Sequence, residues 1–139
     1  MKIAPLAACL ALALPAAALA QASACPKPEA AKAEKAIERV STWPQMVKAF
    51  QDFKQCDTGT VDELYTESLI RLLVEWKNVE LLAGAWKDPA FKEFAVKHLR
   101  SPQAKDDLET VYSRAKASCS PLLEVFCNEL ADIVKTAMK

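Results

Sequence analysis

The stretch TVDELYTESLIRLLVEW, residues 60–76, decides the fold of this protein. Its apolar side chains recur at intervals of three and four residues, which is the spacing that places side chains on one face of an α-helix. Further apolar residues widen this face until it covers most of the helix circumference, as is typical of a helix that is buried on several sides. We therefore predict that residues 60–76 form the central helix of a helical bundle.

Helical spacing continues on both sides of this central segment, and proline marks where helices begin. Asp88, Ser101 and Ser120 each precede a proline, and all three are residue types that cap a helix N-terminus. Thr60 and Glu63 have the spacing of a capping box, in which each side chain binds the backbone N–H of the other residue. No segment alternates apolar and polar residues for long enough to form a strand. The sequence thus predicts an all-α protein, a single compact bundle of six or seven short helices.

The first twenty residues differ in composition from the rest of the chain. A positively charged start leads into an Ala- and Leu-rich run, and residues 18–20 have the small-x-small pattern of a signal peptidase site. This run is shorter than the ~20 apolar residues that cross a bilayer. We predict a cleaved signal peptide over residues 1–20, with an alternative cut after residue 24, and a single helical domain over residues 21–139. The expected location is the bacterial periplasm or the medium.

Four cysteines follow the predicted signal peptide, and an even number in an exported protein is typical of disulfides. Two antiparallel helices between Cys25 and Cys56 would return the chain to its starting end, so we predict that these two cysteines pair. Cys119 and Cys127 flank the helix start at Ser120 and are predicted to form the second disulfide. The two disulfides would staple the bundle.

Two other uses of the cysteines compete with disulfides. A lipid anchor at Cys25 is the first, but Ala22 stands where such motifs usually carry a branched aliphatic residue. Lipidation would also leave three thiols in an oxidising compartment. Metal binding is the second, but no two cysteines have the spacing of a structural zinc site or of a haem attachment motif. We therefore predict neither a metal nor a cofactor.

The chain contains a single histidine, His98. As a general base it would need an acid such as Glu93 or Glu124, brought close by the fold. The alternative is a partly buried histidine near a helix C-terminus, where the helix dipole favours its positive charge. Because no nucleophile or oxyanion donor can be named beside it, we predict that the protein is not an enzyme.

The loop over residues 57–63 is polar and acidic, without the residue order of a calcium-binding loop. Its simplest interpretation is the end of one helix followed by the acid-rich start of the next. The other interpretation is a loop that contacts a partner. Trp43 precedes a proline between two helices and is expected on the surface as a binding anchor. The candidate partner-contact residues are therefore Trp43, Asp57, Thr58, Asp62 and Glu63.

The charge balance, 18 Lys and Arg against 18 Asp and Glu, argues against a nucleic-acid partner, which requires a basic surface. The expected function is a non-enzymatic protein-binding module in the cell envelope, such as an inhibitor or an immunity-type protein that blocks an envelope-targeting enzyme. A carrier of a small molecule or lipid between the helices is the alternative, although 7% aromatic residues do not favour a ligand cavity. A structural or secretion accessory protein is a further alternative.

Overall fold

The computed structural model describes residues 25–139, and in this range the chain forms seven α-helices and no β-strand. The α-helices are α1 (Lys27–Ile37), α2 (Trp43–Phe53), α3 (Thr60–Glu75), α4 (Val79–Ala85), α5 (Pro89–Leu99), α6 (Leu108–Ala117) and α7 (Glu124–Ala137). Three 3-10 helices connect them, Lys54–Cys56, Pro102–Asp107 and Pro121–Leu123. The all-α prediction is confirmed. The predicted signal peptide over residues 1–20, and the alternative cut after residue 24, lie outside the described residues.

Helix α3 lies at the centre of the bundle, as its wide apolar face predicts. It packs against α1, α2, α5, α6 and the 3-10 helix Pro102–Asp107. Two of its buried polar side chains find backbone acceptors on neighbouring helices. The Tyr65 hydroxyl donates to the carbonyl of Ala49 at 2.7 Å, and the Ser68 hydroxyl donates to the carbonyl of Ile37 at 3.3 Å. These bonds satisfy polar groups that would otherwise be costly to bury. None of the helices in the described range is long and apolar enough to cross a membrane.

Helical segments begin after Asp88, Ser101 and Ser120 as predicted, although the last two are 3-10 helices and the Ser120 side chain forms no cap. The predicted capping box is wrong. The side chains of Asp88 and Ser101 accept hydrogen bonds from backbone N–H groups in the first turn that follows. At α3 the residue in the cap position is Gly59, with φ of +57°, and Thr60 is already helical. A hydroxyl one residue inside the helix does not sit where the cap interaction forms, and no side chain caps α3.

Both predicted disulfides are confirmed. Cys25 pairs with Cys56 across a Cα–Cα distance of 4.8 Å, and Cys119 pairs with Cys127 across 6.3 Å. The first disulfide closes the α1–α2 hairpin at the end where the chain returns, because the two helices run antiparallel. The second closes the corner between α6 and α7. In the disulfide-bonded form, the sulfur of Cys25 is not free to carry a thioether-linked lipid.

The expectation that Trp43 lies on the surface is wrong. Its side chain is only 2% exposed, and its indole N–H donates to the carbonyl of Lys77 at 3.2 Å. This carbonyl is available because the chain turns sharply between α3 and α4, where Trp76 and Asn78 both have positive φ. The other two indoles also join separate elements. Trp76 donates to the carbonyl of Ser118 at 3.1 Å, and Trp86 donates to the carboxylate of Glu129 at 3.0 Å.

Candidate functional site

The predicted acidic loop does not project into solvent as a whole, because part of it forms a polar cluster with the single histidine. Asp57 directly follows the first disulfide, Asp62 and Thr66 lie on α3, and Lys97 and His98 lie on α5. We call these five residues the His98 cluster. The cluster ties the loop after the α1–α2 hairpin to two central helices of the bundle.

The ring of His98 is fully buried, and both of its nitrogens have polar partners. Nδ1 lies 2.7 Å from the Thr66 hydroxyl, and Nε2 lies 3.2 Å from Oδ2 of Asp57. The Thr66 hydroxyl is also 3.0 Å from the backbone carbonyl of Asp62. If it donates its one proton to that carbonyl, Nδ1 must donate to it, and with Nε2 donating to the Asp57 carboxylate the ring carries two protons. If it donates to Nδ1 instead, the ring is neutral with its proton on Nε2. The network therefore accommodates either charge state.

The ammonium group of Lys97 lies between two carboxylates. Its Nζ is 2.7 Å from Oδ2 of Asp57 and 2.7 Å from Oδ1 of Asp62. Burial alone would raise the pKa of the Asp57 carboxyl, but hydrogen bonds from His98 and Lys97 outweigh burial and hold this pKa below its ordinary value. Burial alone would lower the pKa of Lys97, but its hydrogen bonds to the two carboxylates raise it instead.

The residue types in this cluster are those of a metal site, yet the side chains already pair with one another and with Lys97. Ligand atoms of Asp57, Asp62 and His98 lie within 4.8 Å of one another. The position between the two carboxylates is filled by the ammonium of Lys97, and both nitrogens of His98 already have partners. One carboxylate oxygen, Oδ1 of Asp57, is buried and accepts no hydrogen bond from residues 25–139. We therefore interpret the His98 cluster as a set of hydrogen bonds and ion pairs that holds the loop against α3 and α5.

The geometry corrects each interpretation of His98 in part, although the residue does lie at the C-terminal end of α5. The acid at its ring is Asp57, supplied by the loop after the first disulfide, and not Glu93 or Glu124. The ring is fully buried rather than partly buried. Helix α5 carries His98 inward because its buried face also includes Phe94 and Leu99.

The depressed pKa of Asp57 predicts a specific loss of stability in acid. A carboxyl whose pKa is lower in the folded chain than its ordinary value of 3.8 stabilises the fold above that value, and the contribution disappears as the pH falls through the folded-state pKa. Urea unfolding from neutral pH down to about pH 2 should show a free energy of unfolding that falls less steeply for Asp57→Asn than for the unmodified protein. Asp52→Asn, which removes an exposed pair with Lys48, is the matched control. Equal acid slopes for all three proteins would contradict the assignment.

The remaining predicted contact residues are dispersed. Thr58 is exposed at the loop, and Glu63 is exposed on α3. Asp62 is partly exposed but engaged with Lys97. The acidic loop thus leaves only Thr58 and Glu63 openly accessible among the five candidates, and Trp43 is buried.

Two large aliphatic side chains project from the corner that the second disulfide closes. Leu122 is 94% exposed and Val125 is 85% exposed. They lie on the 3-10 helix Pro121–Leu123 and in the first turn of α7. Their neighbour Phe126 is buried. We call Leu122 and Val125 the aliphatic corner.

A groove of about 460 Å³ lies beside the aliphatic corner, between α4 and the start of α7. We call it the corner groove; Gly84, Trp86, Leu122, Val125 and Phe126 are among its lining residues. A Cβ atom built on Gly84 would meet no atom within 4 Å, so this glycine faces open space. At the rim, Lys92 forms an ion pair with Glu129 and its hydrogen bond holds the pKa of that carboxyl below its ordinary value.

The aliphatic corner is not predicted from the sequence, although Val125 carries a signal for it. Leu123, Phe126 and Leu130 follow one another at helical spacing and account for the inward face of this segment. Val125 lies off that face. Leu122 precedes Phe126 by four residues and would share its face in a continuous α-helix, but it lies in the 3-10 helix Pro121–Leu123 and is exposed there.

No family model matches this sequence, and neither a curated protein nor a solved structure matches the chain.

Proposed function

We propose that this protein is a non-enzymatic protein-binding module that acts outside the cytoplasm and binds its partner through the aliphatic corner. The observation that carries the proposal is the pair of aliphatic side chains that stand 94% and 85% exposed beside an open groove. A folded chain gains roughly 1.5–3 kcal/mol by burying such a side chain fully. Apolar side chains left together at a surface cleft are typical of an interaction site.

The corner is held in shape before any partner arrives. The disulfide between Cys119 and Cys127 spans it, and Phe126 anchors the start of α7 in the core. A surface that is already ordered loses less conformational entropy on binding, which favours affinity. A rigid corner of this kind suits an inhibitor or an immunity-type protein that occludes the active site of an envelope enzyme.

The chemistry of the corner groove indicates what part of the partner it receives. A volume of about 460 Å³ and an apolar lining fit apolar side chains of a protein segment. The rim carries two lysines and two glutamates in balance, namely Lys87, Lys92, Glu80 and Glu129. This balance does not favour a strongly charged partner. We therefore propose a partner that inserts apolar side chains between α4 and the aliphatic corner.

The disulfides support a location outside the cytoplasm. Two disulfides are characteristic of an oxidising environment outside the cytoplasm. This supports the proposal that the chain is exported to the periplasm or the medium and meets its partner in the cell envelope. A carrier function is less well supported, because the corner groove is open to solvent and a carrier encloses most of its ligand.

The test begins with oxidised protein that carries a photo-crosslinker at Lys87, on the rim of the corner groove. The cross-linked protein is identified, purified and titrated by calorimetry. We expect one-to-one binding that weakens at least about 30-fold in the double variant Leu122→Ser and Val125→Ser, since about 2 kcal/mol or more of burial energy is lost. Leu81→Ser removes a third exposed aliphatic side chain, 47% exposed and not among the residues that line the groove, and should bind normally.

Gly84 provides a second arm of the same test. Gly84→Ala should raise the free energy of unfolding by up to about 1 kcal/mol, because alanine is favoured over glycine inside a helix.

Gly84→Leu should leave the fold intact, since the added side chain enters open space, yet weaken partner binding by filling the groove. Unchanged binding in both Gly84→Leu and the double serine variant would overturn the proposal. Native protein that copurifies with a small molecule and no partner would favour the carrier instead.

A further inference from the structure

A second groove follows α3 and is walled on its other side by the 3-10 helix Pro102–Asp107. Its volume is about 550 Å³. Residues from Glu63 to Glu75 line it at intervals of three and four, so they share one helix face that extends for about 18 Å. We call it the α3 groove. It shares no lining residue with the corner groove.

The walls of the α3 groove are strongly acidic. Four carboxylates line it, those of Glu63, Glu67, Glu75 and Asp107, against the single guanidinium of Arg71, which leaves a formal charge of −3. Within residues 25–139, Glu63, Glu67 and Asp107 form no ion pair.

Arg71 and Lys77 neutralise the negative charge of this groove only in part. Arg71 donates to the backbone carbonyl of Val40 at 2.6 Å, so part of its hydrogen-bonding capacity is used within the bundle. Lys77 reaches Glu75 only at 4.0 Å, and both of these side chains are exposed. The groove therefore keeps a negative potential that attracts cationic groups.

The floor of the α3 groove is apolar. Ile70 is buried and Val74 is half-buried, and both belong to the apolar residues that widen the face of α3 beyond one stripe. The carboxylates are spread along the groove, and none of them belongs to the one group of side chains in the described range that is close enough to hold a metal ion. An occupant that satisfies both floor and walls carries aliphatic and cationic side chains in turn.

From this charge complementarity we propose that the α3 groove binds an extended segment of a protein partner in which lysine or arginine alternates with aliphatic residues. A length of about 18 Å accommodates about five or six residues of extended chain. Aliphatic side chains of the segment contact Ile70 and Val74, and its cationic side chains face Glu63 and Glu67. The inference does not depend on the aliphatic corner, because the two surfaces have no residue in common.

The probe is a fluorescein-labelled peptide of three alternating lysine and valine pairs, titrated with the oxidised protein and followed by fluorescence anisotropy. Binding should weaken at least about 10-fold in the double variant Glu63→Gln and Glu67→Gln, and it should weaken with added salt because exposed charges are screened. The matched control is Glu38→Gln with Glu124→Gln, which changes the net charge equally at exposed positions that do not line the groove. The control should bind as the unmodified protein does.

Two further measurements separate groove binding from general attraction between charges. Val74→Ser should weaken the binding of the lysine–valine peptide. A hexalysine peptide should bind the unmodified protein less tightly than the alternating peptide does. The proposal is overturned if the control variant loses as much affinity as the groove variant, if hexalysine binds equally well, or if no binding is detected at low salt. The Leu122→Ser and Val125→Ser variant should bind the peptide normally, so failure here is distinguishable from failure at the aliphatic corner.

Discussion

Replacing Cys25 and Cys56 together by serine is expected to lower the free energy of unfolding by about 3–4 kcal/mol. The reason is that this disulfide joins residues 31 positions apart, so its loss frees a long loop in the unfolded chain. Helix α1 depends on the bond in addition, because only Ala33 and Ile37 of its eleven residues are buried. Urea unfolding of the variant and of the unmodified protein, without reductant so that the second disulfide stays closed, measures the loss.

The second disulfide supplies the matched comparison. Cys119 and Cys127 are only 8 positions apart, so their joint replacement by serine should cost about 2–3 kcal/mol, less than the first pair. The main prediction is the order of the two decreases in the free energy of unfolding, larger for the first disulfide than for the second. Equal losses, or a larger loss at Cys119 and Cys127, would contradict the role given to the α1–α2 hairpin. Hydrogen exchange that shows α1 unprotected in the first variant would support it.

Replacing His98 by alanine is expected to lower the free energy of unfolding by about 3 kcal/mol. The substitution removes a fully buried ring that packs against Phe94, with ring centroids 4.5 Å apart, and against Tyr65 at 5.7 Å. It also takes one partner from Thr66 and one from Asp57, both of which lie in or near the core. Denaturant unfolding at neutral pH measures the total effect.

Two further variants divide this effect between packing and polar contacts. His98→Phe keeps an aromatic ring but leaves the Asp57 carboxylate without a donor from residue 98, so it should recover only part of the loss. Lys97→Ala removes two ion pairs of a lysine that is about half exposed, and each such pair contributes about 1 kcal/mol or less. If His98→Phe were as stable as the unmodified protein, the His98 cluster would not contribute to stability through its hydrogen bonds.

The helices and disulfides of this protein could be predicted because they depend on local sequence. Side chains such as Asp88, followed by proline, fix where a helix begins through contacts within one turn. The pairing of Cys25 with Cys56 follows from two helices of nearly equal length joined by a short loop. The capping box at Thr60 failed because Gly59 adopts a positive φ and moves the helix start by one residue.

The functional residues were harder to predict because they depend on contacts between distant segments. Asp57 meets His98 across 41 positions, and only the packing of α3 against α5 brings the two together. Trp43 looked like a surface anchor because it precedes a proline. Its burial depends on a carbonyl at Lys77, which the turn between α3 and α4 presents. Val125 is visible in the sequence as an apolar residue off the predicted helical face, whereas Leu122 is exposed because the chain before Glu124 forms a 3-10 helix.

The three indole hydrogen bonds allow unfolding of the bundle to be followed by tryptophan fluorescence. Trp43 joins α2 to the turn after α3, Trp76 joins α3 to the end of α6, and Trp86 joins α4 to α7. Indole emission shifts to longer wavelength when water reaches the ring. Variants that keep one tryptophan and carry phenylalanine at the other two positions would thus report on one of these contacts at a time. The order in which the three contacts open during unfolding can then be observed with no added dye.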